Sequence, residues 1–212
     1  MRILDLCCGV GGASAGYADA GHSVVGVDIS SQPDYPYPFV MADVLTLPHE
    51  FLREFDFIHA STPCQADCTL TAGTNRGRVY PNLTDSVRAL IRDAGLPYVM
   101  ENPPGRTSLR RDLVLCGEMF GLGVIRHRIF EFSHDVPPQP EHVPHRGRVS
   151  GWRHGEFFPG PYVAVYGDGG GKGSVAQWRT AMGIDWTWNR KSLAEAIPPA
   201  YTRYIGQFLH GA

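Results

Sequence analysis

The sequence predicts an α/β protein: a parallel sheet covered by helices on both faces, with a small irregular subdomain attached. Three observations carry that expectation. Short apolar runs alternate with helical stretches through the first half of the chain. The distinctive polar residues of that half, Gly9, Asp28, Asp43, Cys64 and Glu101, fall at or just beyond strand ends, where such sheets bind ligands. With 43% hydrophobic residues, 212 positions suffice for one well-buried domain and an appendage.

In chain order, residues 3–6 form the first predicted strand. The glycine turn 9–12 follows and leads into a small-residue helix near residues 13–20. Residues 23–27 form a second strand ending at Asp28, and residues 39–41 a third leading to Asp43. Residues 55–59 form a fourth, ending just before Pro63-Cys64, and a helix over 86–94 precedes a fifth strand, 98–100, ending at Glu101. Residues 125–130 read as a strand that sets Arg126 and Arg128 on one face, because side chains alternate. Between Ser133 and Arg190 prolines, glycines and aromatics dominate. Trp152, Phe157, Phe158 and Tyr162 are expected to supply a small core there, and Trp178, Trp186 and Trp188 to add to it. Helical pattern returns over 191–209. The expected organisation is residues 1–132, a catalytic domain; 133–190, a small subdomain; and 191–212, a helical segment returning to the first.

Composition excludes several classes. Lys+Arg 19 against Asp+Glu 21 leaves a net charge of −2, too small for long disorder at this hydrophobicity. No apolar run approaches the length of a membrane span, so no membrane partner is expected. Asp5 stands where a signal peptide would have its apolar stretch, so a cytoplasmic protein is expected. Five cysteines, two of them adjacent, argue for reduced thiols over a disulfide framework. Charge is uneven: up to Gly123 there are 9 Lys+Arg and 14 Asp+Glu, and from Val124 onward 10 and 7. A more basic C-terminal part suits a polyanionic partner as well as an ordinary surface.

The run Asp5-Leu6-Cys7-Cys8-Gly9-Val10-Gly11-Gly12 follows a strand and opens a helix. Glycines let the backbone approach a ligand, and the helix N-terminus favours a carboxylate or phosphate. Asp28, 19 positions after Gly9, is placed to accept hydrogen bonds from ribose hydroxyls. That spacing fits NAD and S-adenosyl-L-methionine equally. Asp43 adds a partner for an adenine amino group. Ser61-Thr62-Pro63-Cys64-Gln65 places a cysteine on a turn after a strand, where a nucleophile would need activation. Met100-Glu101-Asn102-Pro103 places a carboxyl at a strand end, and Arg126-His127-Arg128 follows.

In that order these residues resemble the cytosine-5 DNA methyltransferase family over nearly the whole chain, as a small member of phage or bacterial type with a reduced target-recognition region. Asp5–Gly12, Gly26-Val27-Asp28-Ile29 and Asp43-Val44 look like its cofactor motifs, implying S-adenosyl-L-methionine held by Asp5, Cys7, Gly9, Gly11, Gly12, Asp28, Ile29, Asp43 and Val44. Pro63-Cys64-Gln65 matches the nucleophile motif, Glu101-Asn102 the Glu-Asn motif, Arg126-His127-Arg128 the Arg-x-Arg motif, and residues 196–201 the C-terminal motif. The sequence departs where Pro103 replaces a valine, Ser61-Thr62 a Gly-Pro, and Ala194-Glu195 a Gly-Asn. The resemblance implies DNA as partner, with Gln65, Asn102, Arg146, Arg148 and Arg153 contacting it, and a monomer is favoured.

The chemistry asks for the same groups. Cytosine C5 is a poor nucleophile until a thiolate, here Cys64, adds at C6. Glu101, protonated or sharing a proton, meets the charge developing at N3, and Arg128 with Arg126 that at O2. A stacked base cannot reach Cys64, so flipping is required. The same chemistry on RNA or a free pyrimidine nucleotide, and a silent nucleic-acid-binding module, remain alternatives. No metal is expected: Cys64, Cys68, His142 and His145 are only loosely ligand-like, and Cys7, Cys8 and Cys116 read as packed small residues.

Overall fold

The computed structural model describes residues 1–63, 83–105, 107–167 and 173–209. β1 (Arg2–Leu6) sits inside a seven-stranded sheet with β2 (Ser23–Asp28), β3 (Phe39–Met41), β4 (Phe57–Ser61), β5 (Tyr98–Asn102), β6 (Leu113–Leu115) and β7 (Arg128–Phe132), in the order β3-β2-β1-β4-β5-β7-β6. The first five strands run parallel, and β7 is antiparallel to both its neighbours. The expected parallel sheet therefore ends in an antiparallel edge. β6 was not expected: three residues are too short for a periodic signal, and pairing with β7 makes them a strand.

Alternation along the strands builds two cores. Leu4, Ile58, Met100 and Ile129 face α3 (Thr84–Ala94), whose Val87 and Ile91 are fully buried. Ile3, Phe57, Val99 and Phe130 face the other way with Tyr17 of α1 (Gly12–Asp19) and Tyr201 and Ile205 of α6 (Pro199–Gly206). α1 is made of small residues because α6 lies directly on it. A Cβ at Gly12 would overlap the Ile197 carbonyl, and one at Gly16 the Pro199 carbonyl. Thr202 Oγ1 donates to Ala13 O at 2.7 Å across the same seam. Gly16→Ala is expected to cost about 1–3 kcal/mol as overpacking against backbone that cannot yield, read as a lower denaturant midpoint with an unchanged slope.

Of the boundaries that differ from expectation, two bear on the site and have local reasons. β4 starts two residues late, because Phe55 closes the turn after α2 (His49–Leu52) through Phe55 N→Leu52 O, while the Asp56 carboxylate accepts from Arg2 N. The strand then ends at Ser61, in register with Glu101. β7 starts at Arg128, so Arg126 lies before the strand and does not share its face.

A third core of Val124, Val165, Trp178, Met182, Ile184 and Leu193 joins α4 (Val175–Met182) and α5 (Arg190–Glu195) to the sheet edge. Trp178 is fully buried as expected, and Tyr162 with it. Trp188, 64% exposed with the Arg179 guanidinium over its ring, is not core. Nor are Trp152 and Phe157, 63% and 51% exposed: they pair across the hairpin of β8 (Gly151–Arg153) and β9 (Glu156–Phe158). Its two-residue turn, His154-Gly155, has both φ angles positive, as such hairpins need. Among the described residues no helix is long and apolar enough to cross a membrane.

Candidate active site

The glycine turn curls because left-handed residues recur at alternate positions: Cys7, Gly9 and Gly11, with φ of 58°, 50° and 87°. Backbone of that kind forms anion-binding concavities. Cys7 lacks glycine's freedom, so its φ costs of order 1 kcal/mol. Burial pushes its thiol up to about 12 and raises that of Cys8 as well, so both stay protonated and unreactive near neutrality. Asp28, ending β2, accepts from Gly9 N at 3.1 Å and Ser30 N at 2.9 Å, which ties the turn to the neighbouring strand. Beside it Ile29, Met41 and Leu45 are 68%, 65% and 40% exposed, an apolar shelf beyond the ends of β2 and β3. Asp43 caps a short 3-10 turn by accepting from Leu45 N at 3.0 Å. The side chain of Val44, which follows Asp43 at the start of that turn, packs into the core on the α3 face.

Asp5 is buried. One oxygen accepts from Ser14 Oγ, which also contacts Tyr35 OH at 2.7 Å, and the other, Oδ1, has no hydrogen-bond partner among the described residues. Burial, opposed by the Ser14 bond, pushes its carboxyl up to about 7. Two side chains hold this turn in ways that no local sequence pattern signals. Tyr35 packs against Gly11, and Trp186 Nε1 donates to Val10 O at 2.8 Å, fastening the C-terminal part to the glycine turn.

Two strands from β1, Glu101 stands one residue before the end of β5 and is 4% exposed. Arg128 Nε lies 2.7 Å from its Oε1, an ionic contact outside hydrogen-bond alignment. Burial raises the Glu101 carboxyl above the usual range, opposed by Arg128, Arg126 and a hydrogen bond from Ser61. Ser61 Oγ in turn meets His59 Nε2 at 2.9 Å, and His59 Nδ1 meets Tyr17 OH at 3.0 Å. Burial takes His59 down to about 3, so it stays neutral and orients Ser61 without adding charge. The parity of the strands could have placed His59, Ser61 and Glu101 on one face; nothing in the sequence pointed to Tyr17.

Asn102, expected at the substrate, is 1% exposed and donates from Nδ2 to Thr62 Oγ1 at 2.8 Å; Thr62 also meets Thr84 Oγ1 at 3.1 Å. That bond ties the end of β5 to the chain that leads to Pro63, and Asn102 Oδ1 is buried with no hydrogen-bond partner among the described residues. Cys64 and Gln65 lie outside the described residues. Arg126 is 7% exposed, donating to Val165 O at 2.8 Å and Ala194 O at 2.6 Å, so its visible bonds fasten the C-terminal part to the sheet. The three arginines expected at DNA are not equivalent. Arg146 is paired with Glu118 (Nε–Oε1 2.7 Å), Arg148 lies over the Phe158 ring at 5.1 Å, and Arg153 closes β8.

No protein-family model and no curated protein matches the sequence. Solved structures match in fold. The chain aligns with the Dnmt2 methyltransferase of S. pombe at TM-score 0.64 and 13% identity, covering 97% of this chain and 96% of that one. It aligns with the Entamoeba histolytica methyltransferase EhMeth at TM-score 0.63 and 10% identity, with the same coverages. A proposed DNA modification methyltransferase encoded within an E. coli prophage aligns at TM-score 0.48 and 22% identity over 61% of this chain; the chain spans 45% of that protein's length. The two fuller alignments identify the fold as a Rossmann-like methyltransferase sheet with helices on both faces, the fold class expected from the sequence.

Proposed function

We propose that this protein transfers a methyl group from S-adenosyl-L-methionine to C5 of cytosine in DNA, through an adduct between Cys64 and C6. The observation that carries the reading is the buried Glu101 carboxyl with Arg128 Nε at 2.7 Å, beside the anchored Thr62-Pro63 that leads to Cys64. A carboxyl biased toward its protonated form is what N3 of a flipped cytosine requires as thiolate adds at C6. Arg128 offsets charge at O2 as the ring loses aromaticity.

The residues beyond β1, β2 and β3 fit the cofactor. Asp5 Oδ1, buried without a hydrogen-bond partner, suits an ammonium group. Asp28 suits a ribose, and the shelf of Ile29, Met41 and Leu45 suits an adenine face. S-adenosyl-L-methionine supplies the electrophilic methyl when bound. Asp28→Ala is expected to weaken its binding at least about tenfold, since a charge-assisted bond and the tie to Gly9 N are both lost; calorimetric titration without DNA checks this.

Residues 133–190 are assigned to target recognition, with Arg148 and the exposed Trp152 and Phe157 as the contact group favoured over Arg146. The deciding experiment offers labelled S-adenosyl-L-methionine with duplex DNA, tRNA and dCMP in parallel, followed by bisulfite sequencing of the DNA. Label in 5-methylcytosine of DNA supports the reading; label only in tRNA or dCMP transfers the chemistry to that substrate, and no transfer to any overturns it.

A further inference from the structure

Cys116, His127, His142 and His145 converge at the edge of the sheet, with one ligand-capable atom from each lying within 4.8 Å of all the others. The two histidines of His142-x2-His145 face Cys116 and His127, while Cys64 and Cys68, grouped with them in the sequence, lie outside the described residues. Half of this cluster is set by rigid structure. β6 and β7 are antiparallel with Leu115 opposite Arg128, so Cys116, just after β6, and His127, just before β7, meet one step beyond the last pair. The other half comes from the proline-rich segment. His145 is steadied by its neighbour: Arg146 N donates to Tyr162 OH at 2.9 Å, and the Arg146 guanidinium pairs with Glu118.

The spacing within the cluster is metal-like. A tetrahedral zinc with Zn–N of about 2.05 Å and Zn–S of about 2.3 Å puts its nitrogens about 3.3 Å apart and sulfur about 3.6 Å from nitrogen. His127 Nε2 and His142 Nε2 are 3.2 Å apart, and Cys116 Sγ and His145 Nε2 are 3.5 Å apart. The His127 and His142 rings are stacked, with their Nε2 atoms turned toward each other. Two neutral imidazoles in that arrangement attract only when one of them donates a proton; a shared cation satisfies both lone pairs. The donor set, one thiolate and three imidazoles with no carboxylate, selects a borderline-soft metal over magnesium or calcium.

We propose that Cys116, His127, His142 and His145 form a structural zinc site that staples the start of the 133–190 segment to the β6–β7 edge. Four protein ligands leave no open position, so the metal orders structure and activates no water. His127 stands between Arg126 and Arg128, so the same ion fixes the backbone from which Arg128 reaches Glu101. His142 is exposed, which lets metal reach the site from solvent.

The test is metal analysis of the full chain, purified without chelator, with Cys116→Ser and His142→Ala beside it. The expected result is one zinc per chain, lost from both variants and kept by Cys64→Ser and Cys68→Ser. His142→Ala alters an exposed side chain, and circular dichroism verifies that the variant is folded. After stripping with a chelator, added zinc alone should raise the thermal midpoint of the natural chain and leave that of His142→Ala unmoved. Cobalt in place of zinc should give tetrahedral visible bands with a thiolate charge-transfer band that Cys116→Ser lacks. No uptake of zinc or cobalt by the natural chain would reduce the cluster to hydrogen-bonded imidazoles and overturn the proposal. Zinc retained by both variants would place the metal elsewhere and overturn it equally.

Discussion

Cys64→Ala is expected to lose methyl transfer by about 10³-fold or more while binding S-adenosyl-L-methionine as before, because the thiol serves the base and not the cofactor. The two cysteines of the glycine turn cannot substitute for it, as burial keeps their thiols protonated. The covalent step can be caught directly. Fluorine at C5 of the target cytosine cannot leave as a cation, so an oligodeoxynucleotide carrying 5-fluorocytosine, with S-adenosyl-L-methionine, should trap the natural protein as a stable adduct. Peptide mapping should place that adduct on Cys64, and Cys64→Ala should form none. An adduct on Cys7, Cys8, Cys68 or Cys116, or full transfer by Cys64→Ala, would refute the mechanism.

Above the ordinary carboxylate range Arg128→Ala is expected to destabilise the protein by up to about 3–5 kcal/mol, because buried Glu101 must then either stay ionised without the cation 2.7 Å away or take up a proton. The sign of its pH dependence follows from Glu101. A carboxyl whose folded value is raised is protonated in both states in acid, and no penalty exists there. As pH rises through the ordinary carboxylate range the unfolded chain ionises first, and the folded state falls behind. Without Arg128 the rise is larger, so the deficit of Arg128→Ala should deepen with pH and ease in acid, as denaturant titrations at several pH values would register. Glu101→Gln removes the charge to be compensated, so the double variant should recover part of the loss. Strict additivity of the two substitutions would deny their coupling. Glu101→Gln alone should slow adduct formation, because an amide cannot give a carboxylic proton to N3.

The sequence by itself determined the parallel part of the sheet and its chemistry-bearing ends. Apolar runs of strand length, most of them closed by a glycine turn or a carboxyl, leave few alternatives; Asp28 does end β2, and Asp5 and Glu101 each stand one residue before the end of their strands. Buried Trp178 and the small-residue helix under α6 were legible for the same reason, since each is a local composition with one packing solution. What only the tertiary structure decided depends on partners distant along the chain. Arg126 and Arg128 looked equivalent at two-residue spacing, yet one is drawn to the Val165 and Ala194 carbonyls and the other to Glu101, because β7 begins between them. Asn102 carried no sign in the sequence of its bond to Thr62, 40 positions earlier. Trp152 and Phe157 looked like core, but a two-stranded ribbon has no second layer to bury them. Cys116 is buried, as its reading as a packed thiol expects, but only the antiparallel pairing of β6 with β7 brings His127 beside it, and no local pattern records a pairing made across a sheet.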